Sequence, residues 1–255
     1  MKPQFQGHGF QTPFIKEDEY LFGKLGALGI TKKPLRPLGG WKKFLPLFEH
    51  QSMGFETSNC TAFGSTNAIE VLQLVQFNEV ANYSDRALGI MSGTTLQGNT
   101  PQVVLETVRN NGLAFEETLP MSKTAEEYYA NLTDTATAEG RRWVRKYKFN
   151  HEWTFTPFYD EEEKKENLIK SLEFSPIPVA VYAWWKEGVL YKKPVGATAN
   201  HWCMLFDYDK GHWWAIYDSY EESVKLLDWN YEFEFAKSIS LEKKPEKKCF
   251  LSLWS

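Results

Sequence analysis

Apolar residues fall at helical spacing in the first half of the chain and at strand-like spacing in the second. From Cys60 to about Val80, Ala68, Leu72 and Val75 share one face with Val71 beside them, which predicts a helix. Ser58, Asn59 and Thr61 offer capping side chains at its start, so Cys60 is placed at a helix N-terminus. Ser84-Asp85-Arg86 starts a short second helix, and Met91–Asn99 reads as a Gly/Thr loop. Pro101 opens a third helix at its preferred first position, Val104 and Val108 lie one turn apart with Leu105 alongside, and Gly112 closes it.

From about residue 143 the character changes. Trp143–Trp153 and Thr154–Tyr159 mix aromatic and polar residues at strand-like spacing, and Glu161–Leu172 reads as a short charged helix. Pro178–Trp184, Trp202–Tyr208, Trp213–Tyr217 and Lys248–Trp254 read as strands. Helices first and strands second predict an α+β arrangement of two lobes, helical over about 50–140 and sheet over about 143–255, with a cleft between them. Residues 1–36 read as an extended N-terminal arm, rich in Gly, Pro and aromatics, ahead of a single domain over 37–255.

Composition narrows the function classes. Of 255 residues, 42% are hydrophobic and 24% charged, an ordinary globular balance. A net charge of -4, with no arginine-rich block, gives no footing for nucleic acid. Lysine runs such as Glu161–Lys165 and Glu242–Lys248 are mixed with Glu and read as solvated faces. Three cysteines, Cys60, Cys203 and Cys249, are too few and odd for a disulfide framework. The N-terminus has no apolar signal core, and no apolar run approaches a membrane span. The expectation is a soluble protein of a reducing compartment, the cytoplasm. On that expectation the sequons at Asn59, Asn82 and Asn131 are chance.

The candidate chemistry is nucleophilic. A reactive thiol needs a lowered pKa, a base within reach and a group that orients the base. Cys60 at a helix N-terminus meets positive potential, although a buried small hydrophobe is the plainer reading of one such cysteine. His201 opens one apolar strand and Asp218 ends the next. The turn at Asp209-Lys210-Gly211 pairs the two strands as a hairpin, which brings His201 and Asp218 to the same end. Asp218 then bonds one imidazole nitrogen and leaves the other for Cys60. Zinc is a poor alternative: His201 and Cys203 face one side of a strand, but no CxxC or HxxxH completes four ligands. Cys203 and Cys249 read as core residues, and His8, His50, His151 and His212 as surface or structural ones. Nothing hints at a metal or an organic cofactor.

Thr57-Ser58-Asn59-Cys60-Thr61-Ala62-Phe63 resembles the nucleophile segment of the papain-like cysteine peptidases (clan CA). Asn200-His201-Trp202 resembles their histidine segment, and Ile216-Tyr217-Asp218-Ser219-Tyr220 the segment that ends in their orienting Asn. His201 follows Cys60 by 141 positions and Asp218 by 158, at and slightly beyond the family interval of about 130–150. Smaller matches in the right order run from about residue 37 to 220. They include Ser84–Leu88, Gly112-Leu113 through Leu119-Pro120, and Ser175–Val181.

The resemblance implies a two-lobe papain-like fold and a thiol peptidase acting on polypeptides. Cys60 would be the nucleophile, His201 the base and Asp218 its orienter. Gln51 would be the oxyanion donor, and Gly98 with Asn99 the substrate rim. Gln51 lies nine residues ahead of Cys60, further than the usual spacing, and an insertion over Met53–Glu56 accounts for this; a surface Gln is the other reading. Thr61 stands where the family has Trp, Thr57 where it has a disulfide Cys, Asp218 where it has Asn, and Tyr220 where it has Trp. No long inhibitory propeptide is expected ahead of residue 37. Papain-like reading frames also occur in bacteriophage genomes, and the arm would suit docking onto a larger assembly. Two other functions stay open. One is a papain-fold structural or peptide-binding protein without catalysis, and the other a thiol amidase or transferase.

Overall fold

The structure is a computed structural model and describes residues 9–15, 33–38, 40–156 and 158–245. Helix α1 spans Cys60–Phe77, α2 Asp85–Ser92, α3 Pro101–Asn111, α4 Ala125–Tyr128, α5 Asp134–Lys146 and α6 Glu161–Leu172. The strands are β1 Tyr147–Trp153, β2 Ile177–Val181, β3 Trp185–Glu187, β4 Leu190–Lys192, β5 His201–Asp209, β6 Trp213–Tyr217, β7 Val224–Asp228 and β8 Lys237–Lys243. The α+β class therefore holds.

Local signals explain most boundaries. Ser84 accepts a hydrogen bond from the Ala87 N–H to start α2, and Thr100 accepts one from Val103 to start α3 behind Pro101. Asp160 and Glu163 form a reciprocal capping box on α6. The start of α1 differs from expectation. Asn59 is its N-cap residue but makes no side-chain cap bond, and Ser58 adopts a positive φ of 52°. Asn59 instead turns inward, where its amide donates to Asp85 O and to Tyr128 Oη. That burial also removes Asn59 as a glycan acceptor in the folded chain.

The region from 134 to 159 departs further from expectation. Trp143 belongs to α5 and not to a strand, and β1 begins only at Tyr147. The buried stripe of α5 is Ala136, Gly140 and Trp143, at helical spacing but too small in its first two members to register as apolar periodicity. The described residues of Thr154–Tyr159 form no strand. The strand expected over Lys248–Trp254 lies outside the described residues, as do His8 and Cys249.

Six strands form one sheet in the order β2-β5-β6-β7-β4-β3, antiparallel except for the β4–β7 pair. β1 and β8 pair separately, from Tyr147 opposite Lys243 to Trp153 opposite Lys237. Ala180 and Thr154 both bond the Phe235–Ala236 segment, which stitches the two sheets together. Helix α1 lies directly on β5: a Cβ on Gly64 would come within 3.0 Å of the Cys203 Cα and the Trp202 ring. Glycine at this turn allows the approach that puts the first residue of α1 beside the first residues of β5. His201–Phe206 are buried throughout, as expected of a strand covered on both faces. No helix among the described residues is long and apolar enough to cross a membrane.

Candidate active site

Cys60 is the first residue of α1, is fully buried, and is a free thiol. Burial pushes its pKa well up. The Trp202 and Thr61 backbone N–H groups work against that by bonding the sulfur, while the charges of Glu56 and Asp218 add to it. The Trp202 bond seats the sulfur one residue from His201. His201 and Asp218 are fully buried, and His201 Nε2 lies 2.6 Å from Asp218 Oδ1. The expected hairpin is present, with the β5–β6 register running from Met204/Tyr217 to Asp209/Trp213. Asp218 therefore uses Nε2 and leaves Nδ1 as the other ring nitrogen. Trp184 and Tyr220 enclose the imidazole, at ring distances of 5.5 and 5.2 Å.

Asp218 carries a second partner that sequence reasoning missed. Lys225 Nζ lies 2.7 Å from its Oδ2. Burial opposes the Asp218 charge, but His201 and Lys225 together outweigh it and hold the carboxyl below its ordinary range. One signal for Lys225 was available. In Val224–Asp228 strand alternation puts it on the same face as Leu227, and both are buried.

Gln51 is buried and lies on the same side of the molecule as Tyr220. Its backbone N–H bonds Ser219 O at 3.1 Å, and its Oε1 accepts from Ser219 Oγ at 2.7 Å. Its Nε2 donates to Tyr220 Oη and to Glu56 Oε1, both at 2.7 Å. The insertion over Met53–Glu56 therefore folds back so that its last residue grips the candidate oxyanion donor. Burial raises the Glu56 pKa, but bonds from Tyr220 Oη, Gln51, the Ser58 N–H and Ser52 Oγ outweigh it and keep the carboxylate ionised. Glu56 was not foreseen, because nothing local marks an acid in an insertion as inward-facing.

Gly98 and Asn99 form a rim that is already paired. The Asn99 N–H bonds Gly9 O at 2.9 Å, and the Gln11 N–H bonds Asn99 O at 3.0 Å, a parallel bridge between Phe10 and Asn99. Gly98 has φ +86°, and a Cβ there would sit 1.8 Å from Gly9 O. Phe10 stacks on Trp202 at 5.8 Å and 6° and leans on Phe235. Phe10 and Ile15 pack on the apolar cluster that contains Cys60. Part of the N-terminal arm thus lies along the rim beside Cys60. His151, expected at the surface or in a structural role, is buried against Glu106, and burial lowers its pKa to about 4. Among the described residues no group of His, Cys, Asp and Glu is arranged to hold a metal ion.

No protein-family model matches the chain, and no curated protein does. Solved structures do. A clostridial cysteine protease, Cwp84, after propeptide cleavage, superposes with a TM-score of 0.63 at 10% identity, over 80% of this chain and 57% of that one. The cysteine protease and lectin-like domains of Cwp84, a surface layer associated protein of Clostridium difficile, give 0.62 at 12% identity, over 84% and 54%. This chain thus spans little more than half the length of either. Bromelain from Ananas comosus, with an inhibitor bound, gives 0.58 at 16% identity, over 80% and 98%. These likenesses carry nothing about a viral source. They establish that this chain has a papain-like fold.

Proposed function

We propose that the protein is a papain-like thiol peptidase that cleaves peptide bonds through Cys60, His201 and Asp218. The observation that carries this reading is the buried His201–Asp218 pair, 2.6 Å apart, with the N–H of the next residue, Trp202, bonded to the Cys60 sulfur at the N-terminus of α1. His201 takes the thiol proton through Nδ1, the thiolate attacks the peptide carbonyl, and the imidazolium then protonates the leaving amine. Water hydrolyses the acyl-enzyme by the same proton path. The Cys60 N–H and Gln51 Nε2 are the oxyanion donors once Gln51 leaves Glu56. Gly98 and Asn99 line the substrate rim, where Asn99 pairs with the substrate backbone as it pairs with Gly9 and Gln11 here.

Burial of Cys60 opposes thiolate formation, so the thiolate must be held by an imidazolium at His201. Intact-mass alkylation with iodoacetamide at mildly acidic pH tests this, because an ordinary thiol of pKa ≈ 8.5 is almost wholly protonated there. The expected outcome is fast single labelling of the wild type that is lost in His201→Ala. Equally slow labelling of both proteins would overturn the reading.

A second reading is a papain-fold protein that binds a peptide without cutting it. It is favoured by the engagement of Gln51 Nε2 with Glu56 and Tyr220. Peptide-library profiling separates the two: retention without cleavage belongs to the second.

A further inference from the structure

Lys225 sits in a cradle that its own surroundings build. Its Nζ meets Asp218 Oδ2 at 2.7 Å and the carbonyl oxygens of Tyr220, Glu221 and Glu222 at 3.2, 3.1 and 2.6 Å. It also lies 4.8 Å from the centre of the Trp184 ring, which itself packs edge-on against His201. The Lys225 and Asp218 side chains are 1% and 0% exposed. The Asp218 N–H bonds Ser223 O at 2.7 Å and closes the loop whose three carbonyls converge on the ammonium. That loop supplies Ser219 and Tyr220, the partners of Gln51.

We propose that Lys225 is a positioning residue that acts through Asp218. It keeps Asp218 charged and aimed at His201 while cancelling much of the carboxylate's field. His201 then faces a net-neutral carboxylate–ammonium pair, close to what an uncharged amide would present. This rests on the thiol-peptidase reading of Cys60 and His201. A bare buried carboxylate 2.6 Å from an imidazole would hold the imidazolium strongly and make it a reluctant acid when the leaving amine must be protonated. Ammonium on the second oxygen lets one acid both orient the ring and leave it able to exchange its proton. Other titratable groups facing this cluster are Cys60 from α1, Cys203 from β5, Tyr191 from β4, and Glu56, Tyr220 and Glu222 from the flanking loops.

The test is the NMR titration of the His201 imidazole in wild type, Lys225→Met and the double variant Asp218→Asn/Lys225→Met, with acid-pH labelling of Cys60 alongside. Lys225→Met is expected to raise the His201 midpoint by about one pH unit or more, and the double variant to return it to within about half a unit of wild type. If Lys225→Met fails to fold because a buried carboxylate is left uncompensated, the double variant carries the test through the same return. A midpoint unmoved in folded Lys225→Met, or displaced by about a full unit in the double variant, overturns the proposal and leaves Lys225 a purely structural cation. Labelling separates the two readings. If wild-type Cys60 does not react at acid pH, the peptidase reading falls, while the His201 titration still decides the part played by Lys225.

Discussion

The helical and sheet parts of the molecule bury acids in opposite ways. In the sheet, Asp218 is fully buried yet ionised, because His201 and Lys225 occupy its two oxygens. In the helical part, Glu70 and Asp85 are equally buried, and burial followed by repulsion from neighbouring acids, including Glu49 and Glu116, raises their pKa values well above the ordinary range. Those carboxyls bond neutral groups, the Tyr83 N–H and Thr66 Oγ1, which suits a protonated acid. A buried acid that meets a cation keeps its charge and can act on a neighbour. A buried acid that meets other acids keeps its proton and acts as a polar core residue.

The largest test of that contrast is to truncate one acid of each kind. Asp218→Ala leaves Lys225 as an uncompensated buried cation and is expected to cost about 3–5 kcal/mol in urea unfolding. Asp85→Asn, which replaces a protonated carboxyl by a neutral amide, should cost about 1 kcal/mol or less. Equal losses would break the comparison. Glu56 is a third case, an ionised acid held by four donors beside Cys60. Glu56→Gln should loosen the hold on Gln51 and remove a charge that disfavours the thiolate, raising the labelling rate of Cys60 at acid pH about tenfold, or ~1.4 kcal/mol. An unchanged rate would place Glu56 outside the chemistry.

A smaller effect is expected on the rim. Phe10→Ala removes the ring stacked on Trp202, worth about 0.5–1.5 kcal/mol, and should raise the labelling rate by exposing Cys60. The smallest effect concerns pH. Burial raises the Glu116 pKa from 4.5 to about 7, so the folded protein binds this proton more tightly than the unfolded chain does. Its contribution to stability is full below about pH 4.5 and is lost as pH rises to about 7. Glu116→Gln should flatten the stability–pH curve within that window only, and the partial exposure of this group keeps the change modest. Asp218 runs the other way, with stability present above its unfolded pKa and lost as pH falls through its folded one.

Much of the fold and part of the site are legible in the sequence wherever the signal is local. Pro101 and Gly112 bound α3, and Glu161–Leu172 is a helix from end to end. Asp209-Lys210-Gly211 turns β5 into β6, so turn chemistry alone makes the His201–Asp218 pairing readable. Helix α5 escapes such a reading because the small buried residues Ala136 and Gly140 give no apolar beat, and Trp143 then reads as easily in a strand. The cap expected on α1 fails for a non-local reason: Asn59 finds Asp85 O and Tyr128 Oη, brought to it by other helices.

By itself, then, the sequence determined the α+β class, the helix that starts at Cys60 and the hairpin that joins His201 to Asp218, because periodicity and turn chemistry act over a few residues. Tertiary structure alone decided that Glu56 grips Gln51, that Lys225 completes Asp218, and that Phe10 lies on Trp202 beside Cys60. Each of these joins side chains from separate elements, or from an insertion that carries no periodic signal. Their partners are selected by burial and charge compensation, which exist only once the lobes have packed.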